Sequence, residues 1–331
     1  MTGSPWREAP QFRPLLVLVL ALSFGLPGAG QLALACDSSS CSLLTRGDNG
    51  LVPKKKFRFD LSFGYTDQGR PLRGSQEVDA VLRPRIFLEQ QRIFSDFHRD
   101  IDGYDRVVHM DATYGLGKRL NVTASLPLAI RHSHEVAHGS FQQEYGTTGF
   151  GDALLSLRWA IGPPGLVGGL AVKLPTGRNR IGGEFGGGIQ DPTLQPGTGS
   201  VDFVTSLQYS WRAPLAVTCA LAGSYQMNTT NSLDYRFGNQ TIITAGVSRP
   251  LTARLSASLQ AKLFYQDRNR YLGMGVPSTG STVAYLTPGL RLKVPRNVSL
   301  YGFLLLVPYG HVNEAQLAPR VGVLTGMSKL F

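Results

Sequence analysis

Leu251-Thr252-Ala253-Arg254-Leu255-Ser256-Ala257-Ser258-Leu259-Gln260-Ala261-Lys262-Leu263-Phe264-Tyr265 is the stretch that decides the fold. Ala253, Leu255, Ala257, Leu259, Ala261, Leu263 and Tyr265 share one parity, and Arg254, Ser256, Ser258, Gln260 and Lys262 share the other. Side chains of a strand alternate between its two faces, so this run is a strand with one greasy face and one wet face. Similar runs of about ten residues fill the last two hundred or so positions, and the chain ends on an aromatic residue, Phe331. A dozen such runs behind a secretion signal specify an all-β fold: a transmembrane, antiparallel, up-and-down β-barrel of a Gram-negative outer membrane.

The signal lies at the N-terminus. Leu15 to Leu26 is continuously apolar, follows Arg7 and Arg13, and precedes Ala33-Leu34-Ala35. The apolar run is too short to span a bilayer as a helix. Its order of basic, apolar and small-residue segments reads as a cleavable signal peptide over residues 1–35. Residues 36–55 then form a periplasmic lead-in and residues 56–331 the barrel. Cys36 stands at the cut and also fits a lipidated N-terminus, although Ala33 occupies a position where a lipobox usually carries Leu. Cys36 and Cys41 have the spacing for a small disulfide in an oxidising periplasm. Cys219 sits on an outward, lipid-facing row.

Composition agrees with a barrel. Hydrophobic residues make up 42% of the 331, and the mean hydropathy is −0.05. Lumen-facing residues dilute the apolar signal in this way, whereas a helical membrane protein would be far greasier. The net charge of +11 is spread along strands and turns, without a nucleic-acid-binding motif. The partners are therefore outer-membrane lipid, the outer-membrane assembly machinery and a small-molecule solute, with no nucleic acid. Nothing in the chain calls for a cofactor.

The alternation predicts strands near 57–65, 106–116, from 120 onward, 150–160, 166–174, 201–211, 215–227, 239–248, 252–265, 281–294, 297–307 and 319–331. Long polar segments near 132–149, 175–200, 228–238, 266–280 and 308–318 alternate with short connectors such as Gly162-Pro163-Pro164-Gly165 and Pro295-Arg296-Asn297. Long loops outside and short turns on the periplasmic side are the habit of outer-membrane barrels. Twelve strands put both termini in the periplasm. Residues 67–104 break the pattern; Val78 to Leu88 reads as a short strand or a helix, and the segment has room for a hidden hairpin. The Gly-rich stretch 182–188 reads equally as a loop folded into the pore or one facing outward.

The polar faces name the lumen candidates: Arg58, Asp60, His109, Asp111, Arg158, Lys173, Asp202, Arg254, Lys262, Arg291, Lys293 and Arg320. Dry burial of so many charges would cost several kcal/mol each unless they were paired, which argues for a wet interior. Basic residues outnumber acidic ones, so two readings stand: a pore that prefers anions, or a narrow barrel packed nearly shut by charge pairs. His132, His134 and His138, with Glu135, fall in one predicted loop at a density that suits Zn²⁺, Cu²⁺ or Ni²⁺. A role for such a loop in metal capture, or for the barrel as an anchor of a complex, is the alternative to transport. His109 and Asp111 share a face without an evident activated Ser, so the chain is not read as an enzyme. Phe331, closing an alternating strand, resembles the signal read by the assembly machinery.

Three stretches carry a resemblance. They are Gly149-Phe150-Gly151-Asp152, Gly169-Leu170-Ala171-Val172-Lys173-Leu174-Pro175-Thr176-Gly177 and Gln195-Pro196-Gly197-Thr198-Gly199-Ser200-Val201-Asp202. In order and spacing they resemble a family of outer-membrane proteins named for the meta-pathway of phenol degradation. The resemblance implies a porin-like channel admitting hydrophobic or aromatic compounds. Read as chemistry, Pro175 ends strand pairing, and Asp152 and Asp202 are placed to accept backbone or Arg hydrogen bonds at the rim.

Overall fold

A computed structural model describes residues 51–88, 91–138, 141–182 and 188–331. The signal segment, Cys36 and Cys41 lie outside the described residues. Twelve strands form the wall: β1 (Phe57–Asp67), β2 (Arg92–Gly115), β3 (Leu120–His138), β4 (Ala153–Ala160), β5 (Leu166–Leu174), β6 (Asp202–Arg212), β7 (Thr218–Met227), β8 (Gln240–Pro250), β9 (Leu255–Gln266), β10 (Ser281–Val294), β11 (Val298–Val312) and β12 (Val321–Leu330). Each pairs antiparallel with its sequence neighbour. The sheet closes where β1 meets β12, from Arg58 opposite Leu330 to Asp67 opposite Val321. Phe331 extends the seam, its N–H donating to the carbonyl of Phe57 at 2.8 Å, with the two rings 5.9 Å apart.

The alternation is inverted relative to a soluble protein. On β9, Leu259, Leu263 and Tyr265 are about 45% exposed, whereas Gln260, Lys262 and Phe264 between them are 6% exposed or less. The apolar row faces out all round the wall, with Leu157, Leu170, Leu207, Leu221, Ile243, Leu290 and Leu304 among its members. Such a surface is stable only in lipid, where a closed sheet also leaves no backbone group unpaired. The chain is accordingly an outer-membrane barrel. Cys219 lies on an outward row of β7, as its parity indicates.

Local chemistry moves several strand ends inward from their expected places. Thr252 Oγ1 accepts from the N–H groups of Arg254 (3.2 Å) and Leu255 (3.0 Å), so the turn holds Arg254 and β9 begins at Leu255. Arg254 is exposed there, in the turn rather than on the strand. Leu215 and Ala216 take positive φ in the turn before β7, which delays that strand to Thr218.

The larger departures lie beyond the membrane. Residues 81–87 form a strand against the first half of β2, and Phe141–Gly149 forms one against the end of β3. With the upper halves of β2 and β3 they make a four-stranded extension of the wall in the order 81–87, β2, β3, 141–149. The open choice at Val78 to Leu88 resolves to a strand, and the expected loop over 132–149 is a hairpin. Outside the bilayer both faces meet water, so strands there lose the greasy row that marks them in the wall. Pro84 sits on the edge strand, at a register shift between Arg83 and Arg85, where its missing donor is tolerated.

The other outer loops fold over the mouth. Ile86, Leu88, Tyr235, Tyr271 and Val276 are buried together, with Ile93, Ile189, Leu233 and Phe237 packed against them. Arg268 clamps this cap to the loop after β11, donating to Glu314 at 2.9 and 2.6 Å, and Glu314 also accepts the Ser278 N–H at 2.8 Å. Those hydrogen bonds, that from Arg268 foremost, hold the Glu314 carboxyl below the usual glutamate value against its partial burial.

Leu259→Arg puts a charge on the lipid-facing row and is expected to cost about 2–4 kcal/mol near the bilayer midplane. Equilibrium urea unfolding of protein folded into bilayers measures it. The clamp depends on ionised Glu314. With its folded pKa lowered, its contribution is fully present above the ordinary glutamate range and is lost as pH falls below that range. Hydrogen-exchange protection in residues 267–280, taken relative to the intrinsic rate at each pH, should therefore fall on acidification below pH ~4 in the native chain, and should already be low at neutral pH in Glu314→Gln.

Candidate functional site

The lumen divides into two unlike halves. On the β1–β6 side, the inward groups are mostly polar, and several pair with one another. Arg58 Nε meets the Asp60 carboxylate at 2.9 Å, and both side chains are almost fully buried. Asp60 stands opposite Asp111, and Ser62 opposite His109, in the β1–β2 register. His109 and Asp111 are buried beside Thr113, Asn121 and Thr123. Arg158 donates to Gln208 at 3.0 Å across β4, β5 and β6.

The β8–β12 side is different in kind. Ile242, Phe264, Val283, Tyr285, Tyr301, Phe303, Leu305 and Leu324 form one buried cluster, joined by Val307. All point inward from five successive strands. Two cations lie over its rings: Lys262 Nζ sits 4.2 Å from the Tyr285 centroid and Arg291 Cζ 4.9 Å from that of Tyr301. The inward rows of β8 to β12 carry no Asp or Glu among the described residues. Counting charges along the polar face finds Lys262 and Arg291 but misses this cluster. Phe264 reads as an accident beside Tyr265 until Val283, Tyr285 and Phe303 are seen to share its side.

Lys293 and Arg320 stand at the two rims of the barrel. Lys293 is exposed at the short-turn rim. Arg320 is exposed at the opposite rim, where it meets Asp67 at 3.7 Å and the Gly69 carbonyl. Both positions lie at strand ends, where parity no longer sorts lumen from solvent. His132, His134 and His138 belong to β3, with backbones opposite Thr147, Tyr145 and Phe141. Their side chains lie outside the described residues. Among the described residues, no cluster of three or more His, Cys, Asp or Glu could hold a metal ion.

The three motif stretches converge on one knot at the outer rim. Lys173, near the end of β5, pairs with Asp202 and lies 3.3 Å from Asp152. Asp152 accepts from the N–H groups of Gly177 (3.0 Å) and Thr198 (2.8 Å) and from the Thr198 hydroxyl (2.7 Å). Asp202 accepts from the Thr229 N–H at 2.8 Å, tying in the next loop. Gly177 and Gly197 cross so closely that a Cβ on Gly177 would lie 2.7 Å from the Gly197 Cα. The carboxylates thus have the structural role that the sequence suggests, with Lys173 rather than an Arg as their cation. The knot anchors residues 175–182 and 188–201, and the Thr198 carbonyl accepts from Asn231 Nδ2 of the next loop at 2.7 Å.

Asp202 is fully buried and the Asp152 side chain nearly so. Lys173→Met leaves both without their cation and is expected to cost about 3 kcal/mol or more. Urea unfolding reads the loss, and limited proteolysis should show early cleavage within 175–201.

Comparison with known proteins gives the same architecture. A family model described as "Putative MetA-pathway of phenol degradation" matches residues 93–315. No curated protein sequence matches the chain. Among solved structures, an outer-membrane channel from Pseudomonas putida F1 is similar with a TM-score of 0.58 at 12% identity, over 86% of this chain and 98% of that one. The toluene transporter TodX of P. putida gives 0.42 at 9% identity, over 87% and 92%. A FadL homologue of Pseudomonas aeruginosa gives 0.42 at 10% identity, over 83% and 90%. These last two scores are too low to bear on function, and the first speaks to the fold. The family match spans most of the barrel and all three knot motifs, so the chain belongs to the phenol-degradation MetA-pathway family.

Proposed function

We propose that the protein is a passive outer-membrane channel for small apolar or aromatic solutes, and that it carries out no covalent chemistry on them. The observation that carries this reading is the apolar cluster facing inward on β8 to β12. The family description and the channel title of the similar P. putida F1 protein support it. A barrel wall is held by its backbone ladder and its lipid-facing row, and neither needs greasy side chains in the lumen. Solute binding does need them. Binding sites for small molecules are concave and mostly apolar, with a few polar groups that orient the ligand.

The aromatic cap, in which Tyr235, Tyr271 and Val276 are buried together, closes the mouth with apolar side chains. The cluster inside continues that environment toward the periplasmic end. Ser62, His109 and Asp111 are neighbours in register. In this reading they belong to the polar half of the lumen and hold the wall together.

Uptake of labelled benzyl alcohol at micromolar concentration, into Gram-negative cells with and without the protein, tests the proposal. The expected result is a several-fold faster initial rate with the protein, reduced by Phe303→Asp, which places a charge in the cluster. Equal rates in the two strains would remove the channel reading.

A further inference from the structure

The two ends of the barrel carry charge differently. At the long-loop end both signs are present and meet: Arg320 lies by Asp67, Lys173 between Asp152 and Asp202, and Arg268 on Glu314. At the short-turn end no Asp or Glu occurs in 51–57, 116–120, 161–166, 212–218, 249–255, 293–298 or 327–331. Cations occupy that end almost all the way round. Lys54, Lys55 and Lys56 are exposed beneath β1, where the Lys55 N–H donates to the Gly115 carbonyl at 2.8 Å. Lys118 and Arg119 are exposed in the β2–β3 turn, and Arg212 at the end of β6. Arg249 and Arg254 flank the β8–β9 turn, and Lys293 and Arg296 the β10–β11 turn, all four exposed. Lys329 closes the ring near the end of β12. Gly162-Pro163-Pro164-Gly165 is the uncharged gap. Among the described residues none of these cations has a carboxylate partner.

We propose that this ring is a binding surface for the anionic phospholipid headgroups of the periplasmic leaflet. Depth is the first reason. Just inside the ring, Phe57, Tyr114, Tyr209, Trp211 and Phe331 are exposed on the outer wall, and Tyr209 and Trp211 stack at 5.5 Å. Aromatic side chains in such a girdle mark the level of the headgroups. Cations one step beyond them stand among lipid phosphates. Direction is the second reason. Arg249 continues the lipid-facing row of Ile243 and Val247, and Lys329 that of Val323 and Met327. Lys329 Nζ lies 4.4 Å from the Phe331 centroid, a long side chain running along the girdle to carry its charge to the boundary. Shape is the third reason. A soluble acidic partner would need its cations gathered on one side or across the opening, whereas lipid surrounds the wall as this ring does. Basic residues at a membrane boundary attract anionic lipid, and the attraction falls within a Debye length. This contact is independent of whether a solute passes through the lumen.

Two tryptophans report on the ring from within. Trp159 stands opposite Leu120, beside the Arg119 carbonyl that accepts from the Ala160 N–H at 2.9 Å, and Trp211 precedes Arg212. The chain is folded into phosphatidylcholine bilayers with Trp6 replaced by Phe, and its fluorescence is quenched by added dibrominated phosphatidylglycerol or dibrominated phosphatidylcholine. Heat-modifiable migration in gels confirms that each barrel is folded. At low salt the phosphatidylglycerol is expected to be enriched at the tryptophans about fivefold over the phosphatidylcholine, the preference of one boundary cation. About 0.5 M sodium chloride should bring the enrichment below about twofold. Lys118→Gln combined with Arg119→Gln and Arg212→Gln should do the same at low salt. Arg73→Gln, which removes an exposed cation from the opposite end, should leave it unchanged. Equal quenching by the two lipids in the wild-type chain overturns the proposal and leaves the ring to a soluble acidic partner. An enrichment that survives the triple variant, or that Arg73→Gln lowers as much, also overturns it, because the lipid would then be answering to something other than the ring.

Discussion

Closure of the sheet is the constraint on which everything else rests. In lipid a backbone N–H or C=O has no water to turn to, so a wall strand must be paired on both edges. The β1–β12 seam meets that demand with ten consecutive residue pairs, and Phe331 carries the ladder one donor further to Phe57. Once the ring is closed, side chains are free to answer to two solvents. Outward rows answer to lipid and are predominantly apolar. Inward rows answer to a narrow polar interior and can vary, and that is where this chain places its chemistry.

The wall was legible because lipid imposes parity. Leu259, Gln260, Ala261, Lys262 and Leu263 sort themselves without reference to any other strand, and the strand count follows from repetition. Legibility fails wherever the two-solvent rule lapses. Beyond the bilayer, residues 81–87 and 141–149 pair as strands with no greasy row to announce them. At strand ends, Arg254, Lys293 and Arg320 keep the parity but are exposed, since a turn or rim position gives a long side chain other places to go.

The motif knot shows a second kind of limit. Asp152, Lys173 and Asp202 are far apart in sequence, yet each lies at the same rim of an adjacent strand or loop, so closure brings them together. Their residue types announced a rim role for the carboxylates. The close crossing of Gly177 and Gly197, which makes room for the cluster, depends on two loops meeting and has no local signature. The aromatic cluster was hidden for a related reason. An inward Phe or Tyr weakens the alternation of its own strand, and only the register of β8 to β12 shows that five strands make the same exception on the same side.

That shared exception separates function from folding. A lumen that served only to stay closed would be well made from the polar pairs found on the β1–β6 side, where Arg58 answers Asp60 and Arg158 meets Gln208. Nothing in the backbone ladder asks for Tyr285, Phe303 and Tyr301 on the other side. Rings set beside Lys262 and Arg291 already show how that face treats a mixed environment, with charge resting on an aromatic plane.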